Sequence, residues 1–449
     1  MRLPRIMIAA PSSGSGKTLV TCGILQALVD RGLTVSSFKC GPDYIDPMFH
    51  SRVIGTKSRN LDTFFTDAGT TGYLFGRAAE GSDVSVIEGV MGFYDGLGGT
   101  STAGSAHDLS LMLDVPVILV VDCMGMGLSV AALIKGFKEF RENNIKGVVL
   151  NNMPPSIYKE NRDVIESELG LNVLGYVPNV KELVLESRHL GLVLPSEVEG
   201  LREKLRSLGR VLEETLDLDS LLEISKSAPG LDFTRRREKH AGEARIAVAC
   251  DEAFCFIYED NLAILEEMGA EIVRFSPLHD EHVPEADGMI LYGGYPELYA
   301  GALSANVSML KEIREKIEAG MPCMAECGGF MYLHEELEDA EGVSHPMVGA
   351  VKGRTFNKGR LSRFGYVSLE AGHDMLGFGE GDVARGHEFH YWDSTNCGGD
   401  LTATKTRGTR YACVHGTDTL LAGFPHLYYY SNPEVPYRFL RRCAERRGK

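Results

Sequence analysis

The chain has 449 residues, is 44% hydrophobic and 24% charged, and carries a formal net charge of −16. That length exceeds what one ordinary hydrophobic core serves, so two or three domains are expected, and the acidic balance excludes a nucleic-acid partner, whose phosphates need a basic surface. The longest apolar runs, such as residues 115–121, are strand-length and exclude a membrane span; with no secretory apolar region at the start, the expected compartment is the cytoplasm.

In chain order, apolar runs predict strands over 5–10, 34–38, 84–87, 117–121, 145–150 and 173–176. Helices are expected between them, the first from Lys17 to near Asp30 and stopped by Gly32. Such alternation implies a doubly wound parallel sheet that binds ligands at the carboxyl ends of its strands. Residues 197–224 are charged and leucine-periodic, which suits one or two surface helices, and the polar stretch 225–244 reads as an interdomain linker. A second alternating segment starts at Arg245, with a helix over 261–268 and strands over 271–275, 288–292 and 322–325. The expected division is therefore a domain over 1–195, a helical segment and linker over 196–244, and a second α/β domain over 245–449. The ten cysteines are scattered, and the closest pairs, Cys250/Cys255 and Cys323/Cys327, lack the spacing of a zinc site.

The first strand runs into APSSGSGKTL, residues 10–19, which ends as a phosphate-binding loop ends but has Pro11 in place of the first glycine. Between a strand and a helix, Ser13, Gly14, Ser15, Gly16, Lys17 and Thr18 would turn successive N–H groups toward phosphate oxygens. Lys17 would reach the terminal phosphates and the Thr18 hydroxyl would ligate Mg²⁺. Acidic residues cluster at neighbouring strand ends: Asp43 and Asp46 beside Lys39 in FKCGPDYIDP, and Glu88 and Asp95 in VIEGVMGFYDG. Carboxylates so placed can hold Mg²⁺ and position phosphates, although each alone could be a turn former or a helix cap.

In AECGGFMYL, residues 325–333, Cys327 follows an apolar run and precedes two glycines. A nucleophile on a tight strand-to-helix turn needs such small neighbours, and a helix N-terminus is expected to lower the thiol pKa. The Gly328 N–H would form half of an oxyanion hole, with Gly294 of LYGGYPELYA the other half. His426 in GFPHLYYYSNP is the best-placed base, with His387, His390 and His415 as rivals.

With these motifs, FSPLHD (275–280), ESRHLGLV (186–193), RIAVACDEAFCFIYEDN (245–261) and RGHEFHY (385–391), the chain resembles the cobyrinate a,c-diamide synthases along essentially its whole length. The resemblance implies an N-terminal P-loop domain of the dethiobiotin-synthetase-like kind, a doubly wound parallel sheet, and a C-terminal class I glutamine amidotransferase α/β domain of the cobBQ type. It implies catalysis by Cys327, His426, Asp43 and Asp95, and ATP binding by Lys39 together with residues 13–18. Tyr44 and Ile45 would contact substrate, Thr18, Asp46 and Glu88 would bind Mg²⁺, and ATP and L-glutamine would be co-substrates. The implied reaction is ATP- and glutamine-dependent amidation of the a and c acetates of cobyrinate through acyl phosphates. Ni-sirohydrochlorin, hydrogenobyrinate and sirohydrochlorin stand as alternative tetrapyrroles, and a homodimer is a possible assembly. Tyr299, and HLYY at 426–429, depart from the usual pattern and bear on substrate identity more than on reaction type. Lys352, Arg354, Lys358, Arg360 and Arg363 could pair with substrate carboxylates or form a solvated basic loop.

Overall fold

The computed structural model describes residues 1–179, 200–234 and 236–447, with the backbone of 187–188 and 191–192. It divides into two compact units, Met1–Arg235 and Arg236–Lys449.

The first unit is built on seven parallel strands, β1 Arg5–Ala9, β2 Val35–Cys40, β3 Lys57–Leu61, β4 Val84–Glu88, β5 Val117–Asp122, β6 Ile145–Asn151 and β7 Asn172–Val177. Their order is β3-β2-β4-β1-β5-β6-β7. The chain winds one way from β1 and the other way from the adjacent β5, so a crevice opens at their carboxyl ends, where residues 10–16 lie. The helices are α1 Lys17–Asp30, α2 Ile45–Met48, α3 Ala68–Ala79, α4 Ala106–Met112, α5 Ser129–Phe140 and α6 Pro155–Leu169. All the strands expected here are present, and β3 is additional. Its sequence, KSRNL, is polar at an edge and carries no apolar run to announce it.

Helices α7 Leu201–Thr215 and α8 Leu218–Lys226 do not form a segment of their own, as the division at 196–244 expected; they belong to the first unit. Leu201, Leu205, Leu208 and Leu212 are buried on one face of α7. A side chain at Gly23 of α1 would press on Leu208 and Leu212, so a glycine lets the two helices approach closely. This explains why α1 is apolar on nearly every side: the sheet covers one face and α7 the other. Arg31 ties the pair to α8 through ion pairs of 2.7 Å with both Glu213 and Asp219. Two-residue strands β8 Ser187–Arg188 and β9 Gly191–Leu192 pair antiparallel; the rest of ESRHLGLV lies outside the described residues.

The second unit opens with β10 Ala244–Ala249, α9 Glu259–Glu267, β11 Ala270–Phe275, β12 Gly288–Leu291, α10 Ala300–Ala305, α11 Val307–Glu318, β13 Cys323–Glu326 and α12 Gly328–Tyr332. Short strands follow: β14 His334–Glu338, β15 Ser344–Pro346, β16 Val351–Asn357, β17 Arg363–Ala371, β18 Val383–His390 and β19 Trp392–Ser394. Then come β20 Leu401–Lys405, β21 Arg410–Cys413, β22 His415–Gly416, β23 Leu420–Gly423, β24 His426–Leu427 and the closing helix α13 Glu434–Arg447. The central sheet is β11-β10-β12-β13-β23-β22, parallel except at β22. An antiparallel sheet, β21-β20-β17-β18-β24, brings β18 alongside His426. Among the described residues all ten cysteines are free and no helix is long and apolar enough to cross a membrane.

Candidate active sites

In the first unit, β1 delivers the chain into the loop and α1 begins at Lys17. Gly14 and Gly16 have φ of 79° and 88°, a left-handed backbone that glycine adopts without strain. A side chain at Gly16 would overlap Asn151, whose Nδ2 donates to Ser15 O at 3.0 Å and braces the loop from the end of β6. Ser13 and Gly14 are exposed, while Ser15 is buried and donates to Ser12 O at 3.0 Å. The Lys17 ammonium is folded back within the crevice, donating to Met91 O at 2.6 Å and Ser12 O at 3.2 Å.

Burial, reinforced by the nearby Lys39 charge, lowers Lys17 to about 8. A bound phosphate favours the ammonium, so the free protein loses affinity once that proton is gone. Nucleotide affinity is expected to hold below about pH 8 and to fall as the pH rises past it, which titration calorimetry with ATP on both sides of that pH will check.

Beneath the loop lies a charged cluster. Lys39, at the end of β2, pairs with Glu88 at 2.9 Å, with Asp46 closely, and with Asp43 at 3.8 Å. The Thr18 hydroxyl donates to Glu88 Oε1 at 2.6 Å and lies 3.4 Å from Asp46 Oδ2. Burial opposes every one of these charges. The three carboxylates nevertheless hold Lys39 well above its usual range, and Lys39, His50 and Thr18 together hold Glu88 well below its own. Asp46 is pushed up by burial and by its neighbours Asp43 and Glu88.

Thr18, Asp46 and Glu88 thus converge as hard oxygen donors. Among the described residues no group of three or more His, Cys, Asp or Glu could hold a metal ion. Two carboxylates and a hydroxyl nonetheless suit Mg²⁺, which keeps waters and takes phosphate oxygens for the remaining positions. Asp43 accepts the Ile45 N–H at 2.9 Å and starts α2, and Asp95 accepts the Gly92 N–H at 3.1 Å from an exposed position. Tyr44 and Ile45, expected to contact substrate, are buried at 8% and 3% exposure because the first turn of α2 packs inward. Asp43 and Asp95 reach the surface in their place. Sequence reasoning missed His50, wholly buried with Nε2 3.1 Å from Glu88 Oε2, and Asn151; one lone His and one Asn at a strand end carry no spacing signal.

In the second unit, Cys327 stands between β13 and α12 with φ 47° and ψ −105°. A non-glycine residue held there costs on the order of 1–3 kcal/mol and persists only where its surroundings over-determine it. The Cys327 N–H donates to Gly423 O and its carbonyl accepts from Met331 N, both at 2.8 Å, which fixes the turn at each end. Gly293 fills the space between nucleophile and base: a Cβ there would overlap His426 Cε1 and lie 3.4 Å from Cys327 Cβ. Of the four candidate histidines, His426 is the one this contact brings to the nucleophile. A Cβ on Gly328 would lie 3.0 Å from Gly294 N, so the two glycines expected to supply the oxyanion donors pack against each other. Gly293→Ala is expected to displace His426 and lower glutamine hydrolysis roughly 10²-fold, read as kcat for glutamate release.

The thiol corrects one expectation. Burial, with smaller contributions from Glu297, Glu326 and Glu388, raises Cys327 well above the usual thiol range, against the Gly328 N–H that favours the thiolate. The short helix α12 does not offset desolvation. Burial also lowers His426 to about 3, so it stays neutral throughout the physiological range. The His387 ring stacks on His426 at 4.9 Å, and its Nδ1 meets the Tyr258 hydroxyl at 3.3 Å. His390 stacks on Phe424 and His415 meets Asn396 O at 2.9 Å.

In the basic segment, Lys352 pairs with Glu335 at 3.1 Å, Lys358 with Asp393 at 2.6 Å and Arg363 with Glu388 at 3.5 Å. Arg354 and Arg360 are exposed. A five-cation cradle is therefore not presented as such.

Residues 6–193 match the CobQ/CobB/MinD/ParA nucleotide binding domain, and residues 245–433 match the CobB/CobQ-like glutamine amidotransferase domain. The chain is 41% identical to the cobyrinate a,c-diamide synthase of Caldanaerobacter subterraneus subsp. tengcongensis over 446 residues, 98% of each chain. It is 39% identical to that of Picrophilus torridus, covering 99% of both chains, and 37% identical to that of Thermoplasma volcanium, covering 99% of this chain and 98% of the relative.

Proposed function

Since the chain belongs to the cobyrinate a,c-diamide synthase family, glutamine-hydrolysing amidoligases of cobalamin synthesis, we propose that it amidates the a and c acetates of cobyrinate in two chemically separate halves. In the second unit, His426 takes the Cys327 proton as sulfur attacks the glutamine side-chain carbonyl. The oxyanion is held by Gly294 and Gly328 N–H, and His426 returns the proton to departing ammonia. Water then hydrolyses the thioester to glutamate. In the first unit, the 13–18 loop and Lys17 hold ATP, and a tetrapyrrole carboxylate attacks the γ-phosphorus, giving ADP and an acyl phosphate. An unactivated carboxylate would have to expel oxide, whereas the acyl phosphate offers phosphate as leaving group to incoming ammonia.

Asp43 and Asp95, at the surface of that crevice, orient the carboxylate and the ammonia. Mg²⁺, held by Thr18, Asp46 and Glu88, would supply charge neutralisation for the phosphates. Lys39 would keep Glu88 ionised, and the cytoplasm is the compartment such chemistry suits. The observation that supports this reading best is the strained Cys327 turn beside His426, in the same chain as a phosphate loop backed by Lys39, Asp46 and Glu88. The test is incubation with ATP, Mg²⁺, glutamine and, in turn, cobyrinate, hydrogenobyrinate, sirohydrochlorin and Ni-sirohydrochlorin. Mass spectrometry should show hydroxyl replaced by amino group at two positions of cobyrinate. Conversion of another tetrapyrrole in preference to cobyrinate would reassign the substrate.

A further inference from the structure

The base proposed above lacks an obvious orienting acid in the sequence. The residue two positions after His426 is Tyr428, buried with its hydroxyl 3.3 Å from Asp260 Oδ2, and it carries no carboxylate. Glu297, partly exposed, acts on Cys327, and two buried carboxylates, Glu388 and Glu326, come near His426 itself. Glu388 is already committed: Lys405 lies at 3.0 Å, Arg363 at 3.5 Å and His390 at 4.0 Å, and it also accepts from the Tyr411 hydroxyl. Glu326, the residue immediately before the nucleophile, is different. It is 4% exposed, takes the Leu427 N–H at 3.3 Å, and has no lysine or arginine within ion-pair range among the described residues. Its Oε2 lies 3.8 Å from His426 Nδ1, on the element that carries Cys327.

We propose that Glu326 is the positioning residue of His426, turning Nδ1 toward its carboxylate so that Nε2 serves the thiol, and balancing the imidazolium formed when the thiol gives up its proton. This deepens, and rests on, the Cys327–His426 reading. No atom is added to that reaction: the proton moves from Cys327 sulfur to His426 and on to ammonia, and Glu326 contributes only its negative charge and an acceptor. Placing the acid next to the nucleophile fixes all three groups from two adjacent strand ends, those of β13 and β23, and the start of β24.

Burial pushes Glu326 up to about 8, with only the Leu427 N–H favouring the anion. The other ionisable groups facing this pocket are Tyr292 beyond β12, Glu297 in the following turn, Cys327, His387, Glu388 and His390 on β18, and Tyr429 after β24. The ionised fraction of Glu326 thus grows through that pH, and glutamine hydrolysis should rise with it.

The experiment measures glutamate release across pH for the full chain and for Glu326→Gln, Glu326→Asp and Cys327→Ser. Glu326→Gln is expected to lower kcat roughly 10²-fold with KM for glutamine nearly unchanged, and to lose the limb near pH 8. Glu326→Asp, which keeps the charge on a shorter arm, should recover part of the rate and keep the limb. A Glu326→Gln enzyme with wild-type kcat, or one that keeps the limb, overturns the proposal. Should that variant fail to fold, Glu326→Asp decides: a reduced kcat with the limb retained supports the role, and an unchanged kcat overturns it. Hydrolysis surviving in Cys327→Ser would instead remove the Cys327–His426 reading itself.

Discussion

Cys327→Ser is expected to lower glutamine-dependent amidation by at least about 10³-fold while amidation supplied with an ammonium salt persists. Serine nearly preserves the volume and the backbone bonds to Gly423 and Met331, so the turn should survive. The chemistry should not. Burial already holds the cysteine thiol protonated, and His426, lowered to about 3, is a weak proton acceptor. That base can be asked to share a thiol proton with an attacking sulfur, but not the far more tightly held proton of an alcohol. Ammonia from solution bypasses this unit and meets the activated carboxylate directly. Product amides counted by mass spectrometry, with glutamine and then with ammonium chloride, separate the two routes. Loss of both activities in a folded variant would overturn the division of labour.

Lys17→Ala should lower ATP turnover and amidation from either nitrogen source on the order of 10²–10³-fold, while glutamine hydrolysis continues. The Lys17 ammonium donates to the carbonyls of Ser12 and Met91, and phosphate oxygens would be stronger partners for it than carbonyls. Among the described residues, removing it leaves Lys39 as the lysine beneath the loop, and Lys39 is bound to Asp43, Asp46 and Glu88. ADP release measured alongside glutamate release provides the check, and an unchanged ADP rate would take Lys17 out of the reaction.

Much of the first unit is legible in the sequence because parallel strands buried on both faces read as apolar runs, as in RIMIA of β1 and VILVVD of β5. Strand β3 is not legible, because an edge strand needs no such run. Strands β14–β22 escape for a related reason: most are short, many are half-exposed, and apart from the parallel pair β14 and β16 they pair antiparallel, as Arg363 does with His390. Within the sites, Lys17, Thr18 and Cys327 stand in motifs whose spacing is itself the chemistry. The sequence ranks His426 above His387, His390 and His415 without a spacing to fix the choice, and the space that Gly293 leaves beside it is what brings it to Cys327. His50 and Glu326 could not be ranked at all, since their roles come from which buried atom faces them rather than from any pattern along the chain.

The left-handed backbone at Cys327 sets the protein's durability against its turnover. Glycine would sit there at lower energy than any other residue, yet glycine has no sulfur. The nucleophile is therefore a point where selection for the reaction holds stability below what the fold could reach. A lineage released from the need to split glutamine would be free to drift to glycine at this position, gaining robustness as it lost the activity.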